Sequence, residues 1–297
     1  MEHWNIQNIP SQNGKVVIIT GATSGLGKEI TKFFVEKEAN VIMAVRNLEK
    51  AKSVIAEIHK IHPNAKIDIK SLDLSSLNSI KSFTDEILLD YQHLDILINN
   101  AGIMYCPYSK TKDGFEMQMG TNHLGPFALT ANLLPLLIKT PNARIINTSS
   151  LAHLKGNINF EDINWAQRKY KTMQAYSDSK LANLYFNYEL SSKLKDNPNA
   201  PLVIAAHPGW TKTELDRHNR LVGIISSIVG QKVDKGILPT LRAATDPTAN
   251  SGDYFGPDGF REIRGNPIKV KSNAKSHDKN SAKKLWELSE KLTGIKF

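Results

Sequence analysis

The amino-acid sequence predicts an α/β protein, a doubly wound parallel sheet of about seven strands with helices on both faces. Three observations carry this. Short apolar runs recur along the chain and read as strands buried on both sides. Longer stretches with helical spacing lie between them, so strand and helix alternate. A glycine-rich turn joins the first run to the first helical stretch, where such sheets bind ligands.

In chain order, Val16-Val17-Ile18-Ile19 is the first strand and 25–38 the first helix. Val41-Ile42-Met43-Ala44 follows with a helix over 48–61, then a strand closing at Leu72-Asp73-Leu74 with a helix over 76–91. Ile96-Leu97-Ile98 precedes a helix over 121–139, and Ile145-Ile146 precedes one over 174–195. Val203-Ile204-Ala205-Ala206 continues the series. The tail supplies a last strand at Tyr254-Phe255 and a helix over 278–293 bearing Leu285, Trp286, Leu288 and Leu292. Parallel strands need crossovers, which are right-handed. Two long connections, 151–173 and 209–235, break the rhythm at strand ends where substrate loops belong. The second holds the apolar decapeptide Leu221 to Gly230, too short to cross a membrane and readable as a lid helix or a buried one.

A length of 297 residues with 40% hydrophobic content suits one large α/β domain. Within it, about 14–105 is the nucleotide-binding half, about 106–260 the catalytic and substrate half, and about 261–297 a basic extension. The N-terminus lacks a basic start followed by an apolar run, and no segment is long and apolar enough for a membrane span, so a cytoplasmic protein is expected. The single Cys106 cannot form an internal disulfide. Of the net charge of +9, much sits in 261–297, with ten Lys/Arg against four Asp/Glu. Without interleaved aromatics this reads as a solvated helix face, and no nucleic-acid partner and no metal site are expected.

The turn Thr20-Gly21-Ala22-Thr23-Ser24-Gly25-Leu26-Gly27 opens the first helix with G-x-x-x-G-x-G spacing. Glycines there let backbone N–H groups approach a pyrophosphate at the positive end of the helix, with Gly21, Thr23, Ser24, Gly25, Leu26 and Gly27 forming the cradle. Close strand-to-helix packing alone also demands glycine, but the position after the first strand favours the nucleotide. The second strand ends Ala44-Val45-Arg46-Asn47, with no acid to accept from a ribose hydroxyl. Arg46, helped by Asn47, offers a guanidinium to a 2′-phosphate, favouring NADP(H) with NAD(H) second; the rival reading is an ordinary surface arginine. Asp73 and Leu74 at the third strand end, and Asn99, Ala101 and Gly102 at the fourth, fall on the adenosine side of the same crevice, or else are simple caps and turns.

Tyr176 and Lys180 lie four residues apart, on one face of an expected helix. A nearby ammonium favours the phenolate of a tyrosine, making a general acid/base near neutral pH. Tyr108 and Lys112 share the spacing but sit in a polar, turn-rich stretch. Context therefore selects Tyr176 and Lys180, together with Ser150 at the strand end Asn147-Thr148-Ser149-Ser150, whose hydroxyl can polarise a carbonyl.

The glycine turn, Asn99-Asn100-Ala101-Gly102, Asn122, Ser149-Ser150, Tyr176-x-x-x-Lys180 and His207-Pro208-Gly209, taken in this order over about 14–260, resemble the short-chain dehydrogenase/reductase family. Ser149 to His153, Ala175 to Asn183 and His207 to Gly209 are similar to its retinol-dehydrogenase-like and WW-domain-oxidoreductase-like branch. The resemblance implies a Rossmann fold and a NADP(H)-dependent oxidoreductase acting on a carbonyl or alcohol. It implies that Tyr176 exchanges the proton, Ser150 holds the oxygen, and Lys180 lowers the tyrosine pKa and binds the nicotinamide ribose. Asn122 keeps a kink and a water, while Pro208, Gly209, Thr211 and Thr213 bracket the nicotinamide carboxamide. Family members form dimers through the helix carrying Tyr176 and the one before it, and monomers occur in this branch, so a homodimer or a monomer is expected. The apolar residues Trp210, Leu215, Leu221, Ile224, Ile225 and Ile228 suggest a hydrophobic substrate. The rival is a non-catalytic dinucleotide sensor, which has no need for Asn122, Ser150, Tyr176 and Lys180 together.

Overall fold

Alternate residues of each apolar run face opposite sides, and both sides are covered. Val17 and Ile19 share a core with Val41, Met43 and Ile98, whereas Val16 and Ile18 share another with Ile42, Leu97 and Ile145. The computed structural model describes residues 4–211 and 230–297.

The strands are β1 (Val16–Thr20), β2 (Asn40–Val45), β3 (Ile67–Ser71), β4 (Ile96–Asn99), β5 (Arg144–Thr148), β6 (Leu202–Ala206), β7 (Tyr254–Pro257) and β8 (Pro267–Lys269). They form one sheet in the order β3-β2-β1-β4-β5-β6-β7-β8. Val17 pairs with both Val41 and Ile96, so β1 lies at the centre. Seven strands run parallel and β8 antiparallel, one strand more than the expected seven. β8 escapes sequence reading because it is a three-residue edge strand that opens on Pro267, with no apolar run; an edge tolerates a residue that cannot donate.

The longer helices are α1 (Gly25–Glu36), α2 (Leu48–His59), α3 (Leu77–Asp90), α4 (Gly125–Lys139), α5 (Thr172–Leu194), α6 (Leu238–Thr245) and α7 (Lys279–Thr293). Ile30 and Phe34 of α1, Val54 and Ile58 of α2, and Leu241 of α6 cover one face. Ile80 and Phe83 of α3, Phe127 and Leu133 of α4, and Phe186 of α5 cover the other. Burying each such side chain contributes about 1.5–3 kcal/mol. α7 lies over the second layer, its Trp286 ring 5.3 Å from that of Phe127 and 6.0 Å from that of Phe186.

The helix expected over 121–139 begins earlier and is not uniform. A short helix at Met117–Met119 leads through a π turn at Gly120–Leu124 into α4. The 151–173 connection contains 3-10 turns at Leu151–Lys155 and Phe160–Asp162. The sheet order reverses between β1 and β4, and in such sheets the crevice at the carboxyl ends of the strands is the ligand site. The decapeptide from Leu221 lies, up to Val229, outside the described residues.

Candidate active site

At the end of β1, Gly21 and Gly25 have φ of 69° and 51°, a left-handed backbone that glycine adopts readily. Thr20 and Asn100 lock this turn to the end of β4. The Thr20 Oγ1 accepts from the N–H of Asn100 and of Ala101 at 3.0 and 2.9 Å, and the Asn100 amide donates to the Thr20 carbonyl at 2.8 Å. A Cβ on Gly27 would lie 2.7 Å from the Asn100 amide nitrogen. Ser24 is the N-cap of α1, and its side chain makes no capping bond. The first-turn amides at Gly25, Leu26 and Gly27, beside half-buried Thr23, thus suit an anion at the positive end of the helix.

Arg46 is exposed at the end of β2. Asn47 beside it caps α2, its side chain accepting from the Lys50 N–H at 2.8 Å. The Asp73 carboxylate, at the end of the third strand, accepts from the Ser75 N–H and hydroxyl at 3.0 and 2.6 Å and pairs with Lys112 at 3.2 Å. Leu74 is buried beneath Gly125. The Asn99 side chain turns into the core, donating to Thr130 Oγ1 and Asn147 Oδ1 at 3.1 and 3.0 Å. From the Asn-Asn-Ala-Gly turn, Ala101 meets Gly21, and Gly102 lies against Asn122 and Lys180.

The α5 helix brings Tyr176 and Lys180 to the end of β5. Lys180 is 4% exposed and donates to the Thr148 carbonyl at 3.2 Å; its Nζ is 5.7 Å from the centroid of the Tyr176 ring. Burial lowers its amine to about 8. The Ser149 hydroxyl donates to the backbone of α5, while half-buried Ser150 follows it with Oγ accepting from the Ala152 N–H at 3.2 Å. Asn122 sits inside the π turn. Its Oδ1 accepts from the Ile103 N–H at 2.8 Å, and its Nδ2 donates to the Ile103 carbonyl and the Ser179 hydroxyl, each at 2.9 Å.

After β6, His207 is fully buried, accepting from the Gly209 N–H at Nδ1 (3.2 Å) and meeting Glu262 through Nε2 (2.8 Å). The Pro208 carbonyl accepts from Thr211 and Gln231 at 2.8 and 2.7 Å. A Cβ placed on Gly236 would meet both Thr211 and Leu26, so Thr211 lies close to the glycine turn. Thr213 lies outside the described residues. The alternative pair separates: Tyr108 donates to the Asn164 carbonyl at 3.3 Å, and Lys112 pairs with Asp73. Sequence reasoning missed Tyr105, whose ring packs against Tyr176, and Gln118, which bonds to the start of α5 with Tyr170 and Glu116 behind it; the only hint was the stretch Phe115-Glu116-Met117-Gln118, whose polar residues are buried.

The short chain dehydrogenase family matches residues 15–221, and the chain belongs to the short-chain dehydrogenase/reductase family of NAD(P)-dependent oxidoreductases. Within it the chain falls in the retinol-dehydrogenase-like branch. It is 39% identical to human (Homo sapiens) retinol dehydrogenase 13 over 95% of this chain and 85% of the relative. It is 37% identical to mouse (Mus musculus) retinol dehydrogenase 12 over 96% and 88%. A crystal structure from Mycobacterium Paratuberculosis, of an uncharacterized protein, matches with a TM-score of 0.84 and 38% identity over 100% and 99% of the two chains. A short chain dehydrogenase from Shigella flexneri, complexed with NADP, shares the fold at a TM-score of 0.65 and 23% identity, over 83% and 98%. A nicotinamide dinucleotide is the cofactor of this enzyme class, and the uncapped glycine turn fits it. No helix among the described residues is long and apolar enough to cross a membrane.

Proposed function

We propose that the protein interconverts a hydrophobic carbonyl compound and its alcohol with NADP(H), using Tyr176 as general acid/base. The observation that carries this reading is the buried Lys180 amine beside the Tyr176 ring, next to the turn at Gly102. When bound, the nicotinamide supplies or accepts the hydride. In reduction Tyr176 gives its proton to the carbonyl oxygen, and in oxidation it takes the proton back from the alcohol. Ser150 donates to the same oxygen and fixes the reacting carbon. Lys180, as an ammonium, favours the phenolate and holds the ribose, and Asn122 keeps the Ile103 loop in register with α5. The backbone at Gly25 to Gly27 holds the pyrophosphate, and exposed Arg46 takes the 2′-phosphate, which supports NADP(H) over NAD(H).

A hydrophobic substrate is supported by Leu154 and Met173, apolar side chains 57% and 51% exposed in the segments just after Ser150 and just before Tyr176. The relatives are retinol dehydrogenases by name, and retinol is an apolar alcohol. The chain is read as one unit, a homodimer or a monomer; α7, which lays Leu285 and Trp286 over α4 and α5, the helices through which family dimers form, supports the monomer.

The deciding experiment is fluorescence titration of NADPH and NADH against the wild type and Arg46→Ala, followed by turnover of medium-chain aldehydes with Tyr176→Phe as the inactive control. Tighter binding of NADPH that falls to the NADH level in Arg46→Ala is expected. Binding of neither nucleotide would end the reading.

A further inference from the structure

We propose that Tyr105 and Gln118 are positioning residues for Tyr176, an inference that rests on the acid/base role given to that tyrosine. The loop leaving β4 is held at two points by the helical segment that enters α4. Asn122 takes both peptide groups of Ile103, and four residues earlier the Gln118 Oε1 accepts the Tyr105 N–H at 2.9 Å.

The second clamp is itself fixed from behind. The Gln118 amide donates to the Tyr170 hydroxyl at 2.8 Å and to the carbonyl of Thr172, the first residue of α5, at 3.0 Å. The Tyr170 hydroxyl donates to Glu116 at 2.8 Å, and Glu116, fully buried, accepts from the N–H groups of Gln118 and Met119 at 2.9 and 2.7 Å. These bonds tie the β4 loop to the start of the helix that carries Tyr176. They hold Tyr105 at φ 57°, where a bulky side chain is rarely found and persists only when its surroundings over-determine it.

The result is an aromatic ring set edge-on against Tyr176, with centroids 5.5 Å apart at 68°. The Tyr176 ring thus has both Tyr105 and the Lys180 amine as neighbours, the Lys180 Nζ 5.7 Å from its centroid. A loop with no further role would place glycine at that backbone and apolar residues at the buried carboxylate. Strained backbone and a buried polar chain converging on one side chain fit a phenol whose placement matters to the reaction.

The test measures kcat, KM, NADPH affinity and the thermal midpoint for the wild type, Tyr105→Gly, Tyr105→Phe, Gln118→Ala and the double variant Tyr105→Gly/Gln118→Ala, with a medium-chain aliphatic aldehyde. Tyr105→Gly relieves the backbone, so its midpoint and NADPH affinity stay at wild-type values while kcat falls roughly tenfold or more. Tyr105→Phe keeps the ring and retains wild-type kcat. Gln118→Ala lowers kcat similarly, and the double variant loses little beyond either single change, because both act through one placement. A Tyr105→Gly enzyme within about twofold of wild-type kcat, or losses that multiply in the double variant, would overturn the inference. A wild type that binds NADPH but reduces no carbonyl would instead overturn the proposed function.

Discussion

The Ser149 hydroxyl donates to the carbonyl oxygen of Lys180 at 2.9 Å, and this bond sorts two adjacent serines by role. Ser149 is buried, its N–H also pairing with the Ala206 carbonyl at 2.8 Å. Successive residues of an extended strand point to opposite sides, so Ser150 is the one free to face the crevice. Its oxygen already accepts from Ala152, which leaves its proton for a substrate oxygen. Ser150→Ala is expected to lower kcat/KM about 10²- to 10³-fold, with the free energy of unfolding changed by less than about 1 kcal/mol. Ser149→Ala should do the reverse, losing about 1 kcal/mol of stability in urea titration while kcat stays close to wild type. Equal kinetic losses in the two variants would dissolve the distinction.

Lys180 carries a stability cost with a definite pH window. Burial lowers its amine from the ordinary 10.5 to about 8 in the folded protein. Between these values the unfolded chain binds a proton that the folded protein has released, so stability rises with pH across that window. Below about 8 both states are protonated and the whole penalty applies. Lys180→Met should therefore be more stable than wild type at pH 7, by up to about 3 kcal/mol, with the gain shrinking toward pH 10. Urea unfolding at the two pH values reads this directly, and a variant less stable than wild type at pH 7 would refute it. Loss of turnover in the same variant would accompany its gain in stability, as expected of a group retained for chemistry.

Gly27 is where α1 touches the end of β4. A methyl there would press on the Gly21 carbonyl and lie 2.7 Å from the Asn100 amide nitrogen, both parts of the rigid turn. Gly27→Ala is thus expected to displace the first-turn amides and weaken NADPH binding at least tenfold by titration, with a loss of stability of about 1–3 kcal/mol. Gly114 has nothing within 4 Å of an added Cβ, but its φ of 87° makes it strained for alanine. Gly114→Ala therefore serves as a control that lowers stability without changing nucleotide affinity.

The framework was legible because the strands are wholly apolar and the helices periodic: all five residues of β1 are buried, and α1 and α2 start at the expected residues 25 and 48. The cradle and the Tyr176–Lys180 pair were legible because their residues are local in sequence. What sequence did not reveal is set by long-range contacts. Gln118 meets Tyr170 across 52 residues, and Glu116 meets Tyr170 across 54, and no local pattern announces either bond. The side-chain fates of Asp73 and Asn99 were hidden for a related reason. Both sit at strand ends, yet the Asp73 carboxylate meets Lys112 and Ser75, and the Asn99 amide nitrogen donates to Thr130 and Asn147. The π turn at Gly120–Leu124 shifts the helical phase by one residue, which also blurs the periodicity from which the start of that helix was read.

His123 links that π turn to the C-terminal helix and makes the link sensitive to acid. Its ring is buried beside Phe127 and Phe186, and its Nε2 meets the Ser289 hydroxyl at 2.9 Å. Burial lowers its pKa from 6.5 to about 3. Between those values the unfolded chain takes up a proton that the folded protein refuses, so stability is full above about 6.5 and is lost as the pH falls toward 3. His123→Phe removes the titrating group and keeps an aromatic ring of similar size. At pH 7 the variant should be less stable by about 1 kcal/mol, since Ser289 loses its partner. At pH 4 the order should reverse, because the wild type has by then lost up to about 3 kcal/mol that the variant keeps. Urea titrations at the two pH values should show the curves crossing, and parallel acid loss in both proteins would mean that another group governs it.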